Sequence, residues 1–153
     1  MRCAVVGAGA WGTALANLLA ENEHEVMLWA YEPDVAESVN KENENRRFLD
    51  GVSLHTALKA TSVLETACSG AELVVFAPPS HVLRKVAGDA ARWIPAGATL
   101  VVATKGIERE RLALMTDVVA QEVRERPVVA LSGPSFALEV AHHLPTAIVA
   151  AST

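Results

Sequence analysis

The run Gly7-Ala8-Gly9-Ala10-Trp11-Gly12 constrains this chain more than any other feature. It follows an apolar stretch, Cys3 to Val6, and opens a helical one, Trp11 to Glu21. Glycine spacing alone is a weak signal, because glycine is common and a turn can use it merely to change direction. The preceding strand and following helix make it specific. In that setting Gly7 permits the tight turn, Gly9 lets a pyrophosphate approach the backbone, and Gly12 lets the helix pack close to the strand. The amides of Ala10 and Trp11 then face the phosphates from the positive end of the helix. This arrangement points to a bound dinucleotide.

The remainder of the chain repeats the same alternation. Continuous apolar runs at Cys3 to Val6, Glu25 to Trp29, Leu73 to Ala77, Thr99 to Ala103, Val128 to Leu131 and Ala147 to Ala151 read as strands covered on both faces, with Lys59 to Ser62 a weaker candidate. Helical stretches are expected at Trp11 to Glu21, Asp34 to Glu42, Val63 to Ser69, His81 to Ile94, Arg111 to Arg124 and Phe136 to His142. In the fifth, Leu112, Met115, Val119 and Val123 recur at helical spacing. The polar segment Asn43 to His55 reads as a surface excursion. Strand and helix in alternation imply right-handed crossovers, hence an α/β, Rossmann-like, doubly wound and mainly parallel sheet in three layers. Residues 1–153 form one dinucleotide-binding domain on this reading, with nothing after Ala151 to build a second.

Composition narrows the partners. Hydrophobic residues make up 51% and charged ones 20%, which places the chain in the globular class. A net charge of −5, with no basic run, argues against nucleic acid or an anionic membrane as the main partner. Cys3 and Cys68 are too few for a disulfide framework and read as buried apolar residues in a reducing cytoplasm. Arg2 followed by Cys3 to Ala20 superficially imitates a signal peptide, but its glycines and Asn17 argue against one. No run is long and apolar enough to span a membrane.

In such sheets the ligand sits beyond the carboxyl ends of the strands. After the second strand, Glu32 stands 20 residues beyond Gly12, where an acidic group would accept hydrogen bonds from the adenosine 2′-hydroxyl. It also precedes Pro33 and fits the start of the next helix equally. Between Trp29 and Asn40 there is no Arg or Lys for a 2′-phosphate, which favours NAD over NADP. Tyr31 offers a flat face to the adenine. Ala77-Pro78-Pro79-Ser80 ends one strand and starts a helix at Ser80; Ala103-Thr104-Lys105-Gly106 places a cation where a phosphorylated or carbonyl substrate could meet the nicotinamide. The Gly133-Pro134-Ser135 turn opens a helix whose free amides suit an anion or a carboxamide. Taken alone, Lys105 is equally an ordinary surface lysine and the Gly-Pro-Ser turn an ordinary cap. No metal site is expected: His142 and His143 are adjacent, so on a helix they diverge. Trp29 and Trp93 read as packing residues.

These pieces together resemble the NAD(P)-dependent glycerol-3-phosphate dehydrogenases, particularly the bacterial type, in their N-terminal domain. The resemblance lies in Val6 to Ala16, Leu28-Trp29, Arg47-Phe48-Leu49, Pro79-Ser80, Ala103 to Gly106, Ser132 to Ala137 with Glu139-Val140-Ala141, and Pro145-Thr146-Ala147. It implies reversible hydride transfer between dihydroxyacetone phosphate and sn-glycerol 3-phosphate, for glycerophospholipid synthesis. It assigns cofactor contacts to the Gly7 to Gly12 turn, Trp11, Tyr31, Lys105 and Ala137. Substrate contacts fall to Lys105, Gly133 and Ser135. It further implies a helical second domain that supplies the general acid/base lysine and most of the phosphate grip, and a homodimer for the full-length protein. On that basis these 153 residues bind NAD or NADP but turn over negligibly. Some positions depart from the family pattern: Ala10 for a frequent Ser, Asp50 for a usual Pro, and His142-His143 for a stretch that commonly holds Gly. Other readings are a 6-phosphogluconate or hydroxyacyl-CoA type dehydrogenase, or a sensor or scaffold module that binds NAD(H) without chemistry.

Overall fold

The central sheet has seven strands, and the chain winds outward from its middle in both directions. The computed structural model describes residues 1–152. β1 (Arg2–Val6) lies between β2 (Glu25–Trp29) and β6 (Leu73–Phe76). β5 (Lys59–Thr61) flanks β2 on one side. On the other, β6 is followed by β7 (Thr99–Val102), β8 (Val128–Ser132) and β9 (Val149–Ala151). All neighbours run parallel except β9, which pairs antiparallel with β8 at the edge. Mixed sheets accept such an edge strand readily.

Successive strand residues point to opposite faces, and β1 shows the consequence. Cys3 and Val5 join one apolar core, Ala4 and Val6 the other, and all four are fully buried. The first core is covered by α1 (Ala10–Glu21), α2 (Pro33–Glu42) and α6 (Ala137–Ala141). The second is covered by α3 (Leu64–Cys68), α4 (Ser80–Ala91) and α5 (Met115–Glu122). The three-layer, doubly wound architecture expected from the sequence is the one observed. The stretch that imitates a signal peptide is β1 and most of α1, among the most buried parts of the domain.

Three expectations need correction. The segment Asn43 to His55 is no mere surface excursion: β3 (Glu44–Asn45) and β4 (Leu49–Ser53) form a small antiparallel hairpin, and Leu49, Val52 and Leu54 are buried in the first core. The fifth helix starts at Met115, not near Arg111, because Leu112 adopts left-handed φ of 51° and is 80% exposed. The backbone there forms an isolated bridge between Ile107 and Leu114, so only Met115, Val119 and Val123 of the expected stripe are buried. The turn at Gly133-Pro134-Ser135 does not open a helix directly, since α6 begins at Ala137 and has five residues. Glu139 answers the Phe136 amide there, at 3.4 Å.

Candidate functional site

The winding reverses between β1 and β6, so the carboxyl ends of those two strands border a crevice. Both ends are shaped by the residues that follow them. Gly7, with φ of 118°, passes so close to the next strand end that a Cβ there would lie 2.7 Å from the Pro78 nitrogen. A Cβ on Gly12 would fall 1.9 Å from the Gly7 carbonyl oxygen, so α1 can sit this near the turn only with glycine at that position. Gly9 differs: its missing Cβ would meet nothing within 4 Å. Gly7 and Gly12 are thus required by packing, while Gly9 leaves an open approach to the backbone. Gly9 also precedes α1 with no side-chain cap. The amides of the first helical turn have no acceptor within their own helix.

A cavity of about 340 Å³ opens at this point, lined by Gly9, Ala10, Trp11, Ala77 to Ser80, Ala103 to Lys105 and Ser135 to Ala137. Four strand ends therefore converge on one space. Thr104 ties two of them by donating its hydroxyl to the Pro78 carbonyl at 2.8 Å. The Lys105 ammonium lies 5.8 Å from the centre of the Trp11 ring and 3.4 Å from the Gly133 carbonyl oxygen. It is 3.5 Å from the Ser135 carbonyl oxygen. Among the described residues no carboxylate neutralises this cation, so an aromatic face and two carbonyls leave it available to an anion or a carbonyl oxygen. Gly133, φ 154°, passes the segment leading into β9 so closely that a Cβ would meet the Ala147 carbonyl oxygen at 2.5 Å.

Two buried polar atoms in this region, Trp11 Nε1 and Ser135 Oγ, have no hydrogen-bond partner among the described residues. Leaving a buried donor unpaired costs about 1–3 kcal/mol, so both suit a polar ligand that completes them. Open backbone at Gly9, the first-turn amides of α1, a free cation and two unpaired donors fit a dinucleotide with an anionic or carbonyl substrate beside it. The structure brings Gly9, Ala10, Trp11, Lys105, Ser135 and Ala137 around the cavity, with Gly7 and Gly12 beneath and Gly133 beside Lys105.

Tyr31 and Glu32 stand apart, at the end of β2. The Tyr31 ring is 79% exposed and meets Trp29 edge-on, with ring centres 6.3 Å apart. Trp29 itself is buried and donates from its indole nitrogen to the Ser62 carbonyl at 3.2 Å. The structure bears on one of the two uses that the sequence leaves open for Glu32: its carbonyl accepts the Val35 amide as α2 begins, and its carboxylate makes no cap and is partly exposed. One inference about this end fails. A cation does stand there, because Arg47 reaches from the hairpin to within 3.6 Å of the Glu32 and Asp34 carboxylates. Arg47 lies 15 positions from Glu32 in sequence yet beside it in space, so this end of β2 offers a 2′-phosphate a partner and does not favour NAD over NADP.

Comparison with known proteins bears on the same residues. The family model described as NAD-dependent glycerol-3-phosphate dehydrogenase N-terminus matches residues 2–153. The chain belongs to that family. Relatives of this glycerol-3-phosphate dehydrogenase N-terminal domain include a glycerol-3-phosphate dehydrogenase [NAD(P)+] of Trichlorobacter lovleyi, 47% identical over 156 residues. Another, from Geobacter sp. (strain M21), is 43% identical over 156 residues. In each case the match covers 99% of this chain and 46% of the relative. The crystal structure of the glycerol-3-phosphate dehydrogenase of Coxiella burnetii superposes with a TM-score of 0.91 at 36% identity, over 99% of this chain and 46% of that one. The chain thus spans less than half the length of the relatives it matches.

Sequence reasoning missed two features of this family member. Asn45 is 1% exposed, and its amide donates to the Ala8 carbonyl at 2.9 Å and the Thr13 hydroxyl at 2.8 Å. Its carbonyl accepts the Phe48 amide at 3.2 Å. Asn45 therefore fastens the hairpin to the glycine turn, and a lone Asn in a polar stretch gives no hint of this. One helical turn along α4 from Ser80, Arg84 joins Glu108, Glu122 and Gln121 at 2.6 to 3.0 Å, fixing the loop before α5. Its hydrogen bonds hold the Glu108 carboxyl below the usual carboxylate range. Among the described residues, no group of three His, Cys, Asp or Glu side chains stands close enough to hold a metal ion. No helix there is long and apolar enough to cross a membrane.

Proposed function

We propose that this chain is the dinucleotide-binding half of an oxidoreductase that interconverts dihydroxyacetone phosphate and sn-glycerol 3-phosphate for glycerophospholipid synthesis. The observation that carries it is the convergence of the glycine turn, Lys105 and Ser135 on one cavity. Gly7, Gly9, Ala10, Trp11 and Gly12 hold the pyrophosphate side of NAD or NADP. Tyr31 and Glu32 hold the adenosine side, and Ala137 closes over the cofactor. When bound, the nicotinamide supplies the hydride to the substrate carbonyl carbon, or accepts it in reverse. Lys105 touches both cofactor and substrate: its ammonium faces the carbonyl oxygen, where negative charge grows as the hydride arrives, and stabilises it without solvent rearrangement. Gly133 and Ser135 bind the substrate, the Ser135 hydroxyl gaining the partner it lacks.

A proton must also reach that oxygen, and proton transfer needs a positioned group. We assign it, with most of the substrate-phosphate grip, to a lysine and a helical domain outside these residues. The full-length protein is a cytoplasmic homodimer that binds no nucleic acid. The net charge of −5 and the two buried free thiols favour that placement.

Titration of the purified chain with NADH, followed by fluorescence, tests the cofactor half. Binding is expected, and its absence overturns the reading. An assay with NADH and dihydroxyacetone phosphate tests the other half. Steady-state oxidation of NADH by these residues alone would show that the proton donor is already present.

A further inference from the structure

We propose that Arg47 receives the 2′-phosphate of an NADP-type dinucleotide, so that the β3–β4 hairpin decides cofactor choice at the end of β2. This rests on the dinucleotide reading above and adds the group that distinguishes the two cofactors.

The end of β2 is where an adenosine ribose lies in a sheet wound this way. Glu32 and Asp34 alone would make that place hostile to a phosphate dianion, since like charges oppose each other there. Arg47 changes the balance. Its Nη2 lies 3.6 Å from Glu32 Oε1 and its Nη1 3.6 Å from Asp34 Oδ2. These separations are those of loose ion pairs, longer than the roughly 2.7–2.9 Å of a charge-assisted hydrogen bond. A guanidinium carries five donors in a planar fork that matches phosphate geometry. Arg47 can therefore turn from the carboxylates to a phosphate with little to break.

Its position is not accidental. The guanidinium carbon sits 5.2 Å above the Phe48 ring, which limits where it can swing. Phe48 in turn lines a hollow with Ala10, Leu49, Asp50 and Ala137, so the hairpin borders the glycine turn. The buried Asn45 fastens the two together through the Ala8 carbonyl and the Phe48 amide. The hairpin's other arginine, Arg46, is engaged elsewhere, with Glu42 at 3.3 Å and Glu44 at 2.7 Å. Of this pair, Arg47 alone faces Glu32. With a 2′-hydroxyl, Glu32 accepts a hydrogen bond from the hydroxyl and Asp34 keeps Arg47. With a 2′-phosphate, Arg47 bridges the phosphate and the carboxylates.

The test is a set of calorimetric titrations of wild type, Arg47→Ala, Arg47→Lys and Glu32→Gln with NADH and NADPH. Adenosine 2′,5′-bisphosphate and 5′-AMP serve as probes of the adenosine end. For Arg47→Ala the ratio of the NADPH to the NADH dissociation constant is expected to rise at least tenfold, with the same shift between the two adenosine probes. Arg47→Lys, which keeps the charge but loses the fork, should fall between. Glu32→Gln should move the ratio the other way. If Arg47→Ala weakens both cofactors alike, or neither, the Arg47 inference fails while the dinucleotide reading stands. If wild type binds neither NADH nor NADPH, both fail together.

Discussion

Lys105 and Trp11 come from elements 94 positions apart in sequence, yet the ammonium of one lies 5.8 Å from the ring centre of the other. The first turn of α1 supplies the ring, and the loop after β7 supplies the cation. The substitution Lys105→Met keeps the aliphatic packing over the indole and removes the charge. In the full-length enzyme it is expected to lower kcat for dihydroxyacetone phosphate by about a hundredfold or more, the usual effect of losing one group that stabilises a developing oxyanion. NADH affinity should change by less than tenfold. Steady-state kinetics and a cofactor titration on the same variant separate these effects. A large loss of cofactor binding with unchanged kcat would make Lys105 a cofactor residue only.

The glycines of the first turn separate packing from binding. At Gly12 an added methyl collides with the Gly7 carbonyl, a backbone atom that cannot swing aside. Gly12→Ala should cost about 3 kcal/mol or more, at the upper end of overpacking. For a domain of this size that lowers Tm by roughly 6–12 °C. At Gly9 the same methyl enters open space and the backbone, at φ −66°, already suits alanine. Gly9→Ala should therefore leave Tm within about 1 °C, as surface substitutions usually do. Its affinity for NADH should nevertheless drop severalfold. Thermal unfolding and cofactor titration of both variants check the contrast.

Much of this arrangement was legible because it is local. A continuous apolar run such as Leu73 to Ala77, followed by Pro78-Pro79, declares a buried strand and its stop within a few residues. The positions of Gly7, Lys105 and Ser135 at strand ends followed from that alternation. What the sequence hid is long-range. Arg47 meets Glu32 only because the hairpin folds back over the glycine turn, and Asn45 holds it there across 37 positions. Leu112 escaped for another reason: helical spacing favoured it, but its left-handed backbone and exposure belong to a loop that Arg84 fixes from outside.

Asn45 gives a direct measure of what the hairpin contributes. Truncation to alanine takes the Asn45 donor from the Ala8 carbonyl and the Thr13 hydroxyl, which keep each other at 3.2 Å, and takes from the Phe48 amide its acceptor. Loss of buried partners costs about 1–3 kcal/mol, so Asn45→Ala should melt several degrees lower. The hairpin should also loosen, and hydrogen exchange at the Phe48 amide should quicken more than at amides within β1. Uniform quickening across the domain would mean that Asn45 supports the whole fold and not this attachment.

Cys68 predicts how the domain responds to alkali. Burial pushes its thiol up to about 12, whereas a thiol in the unfolded chain loses its proton near 8.5. Between those values the folded state keeps a proton that the unfolded state releases, so stability falls as pH rises through that window. The slope from this one group approaches about 1.4 kcal/mol per pH unit once the unfolded thiol is ionised. Cys3 is shifted in the same direction, chiefly by burial, and adds to the trend. Urea unfolding at a series of pH values from 8 upward should show this decline, and Cys68→Ala should make it shallower. Alkylation of the native protein by iodoacetamide at pH 8, read by mass spectrometry, should be slow at both cysteines and fast after unfolding. Equal pH slopes for wild type and Cys68→Ala would place the alkaline sensitivity elsewhere.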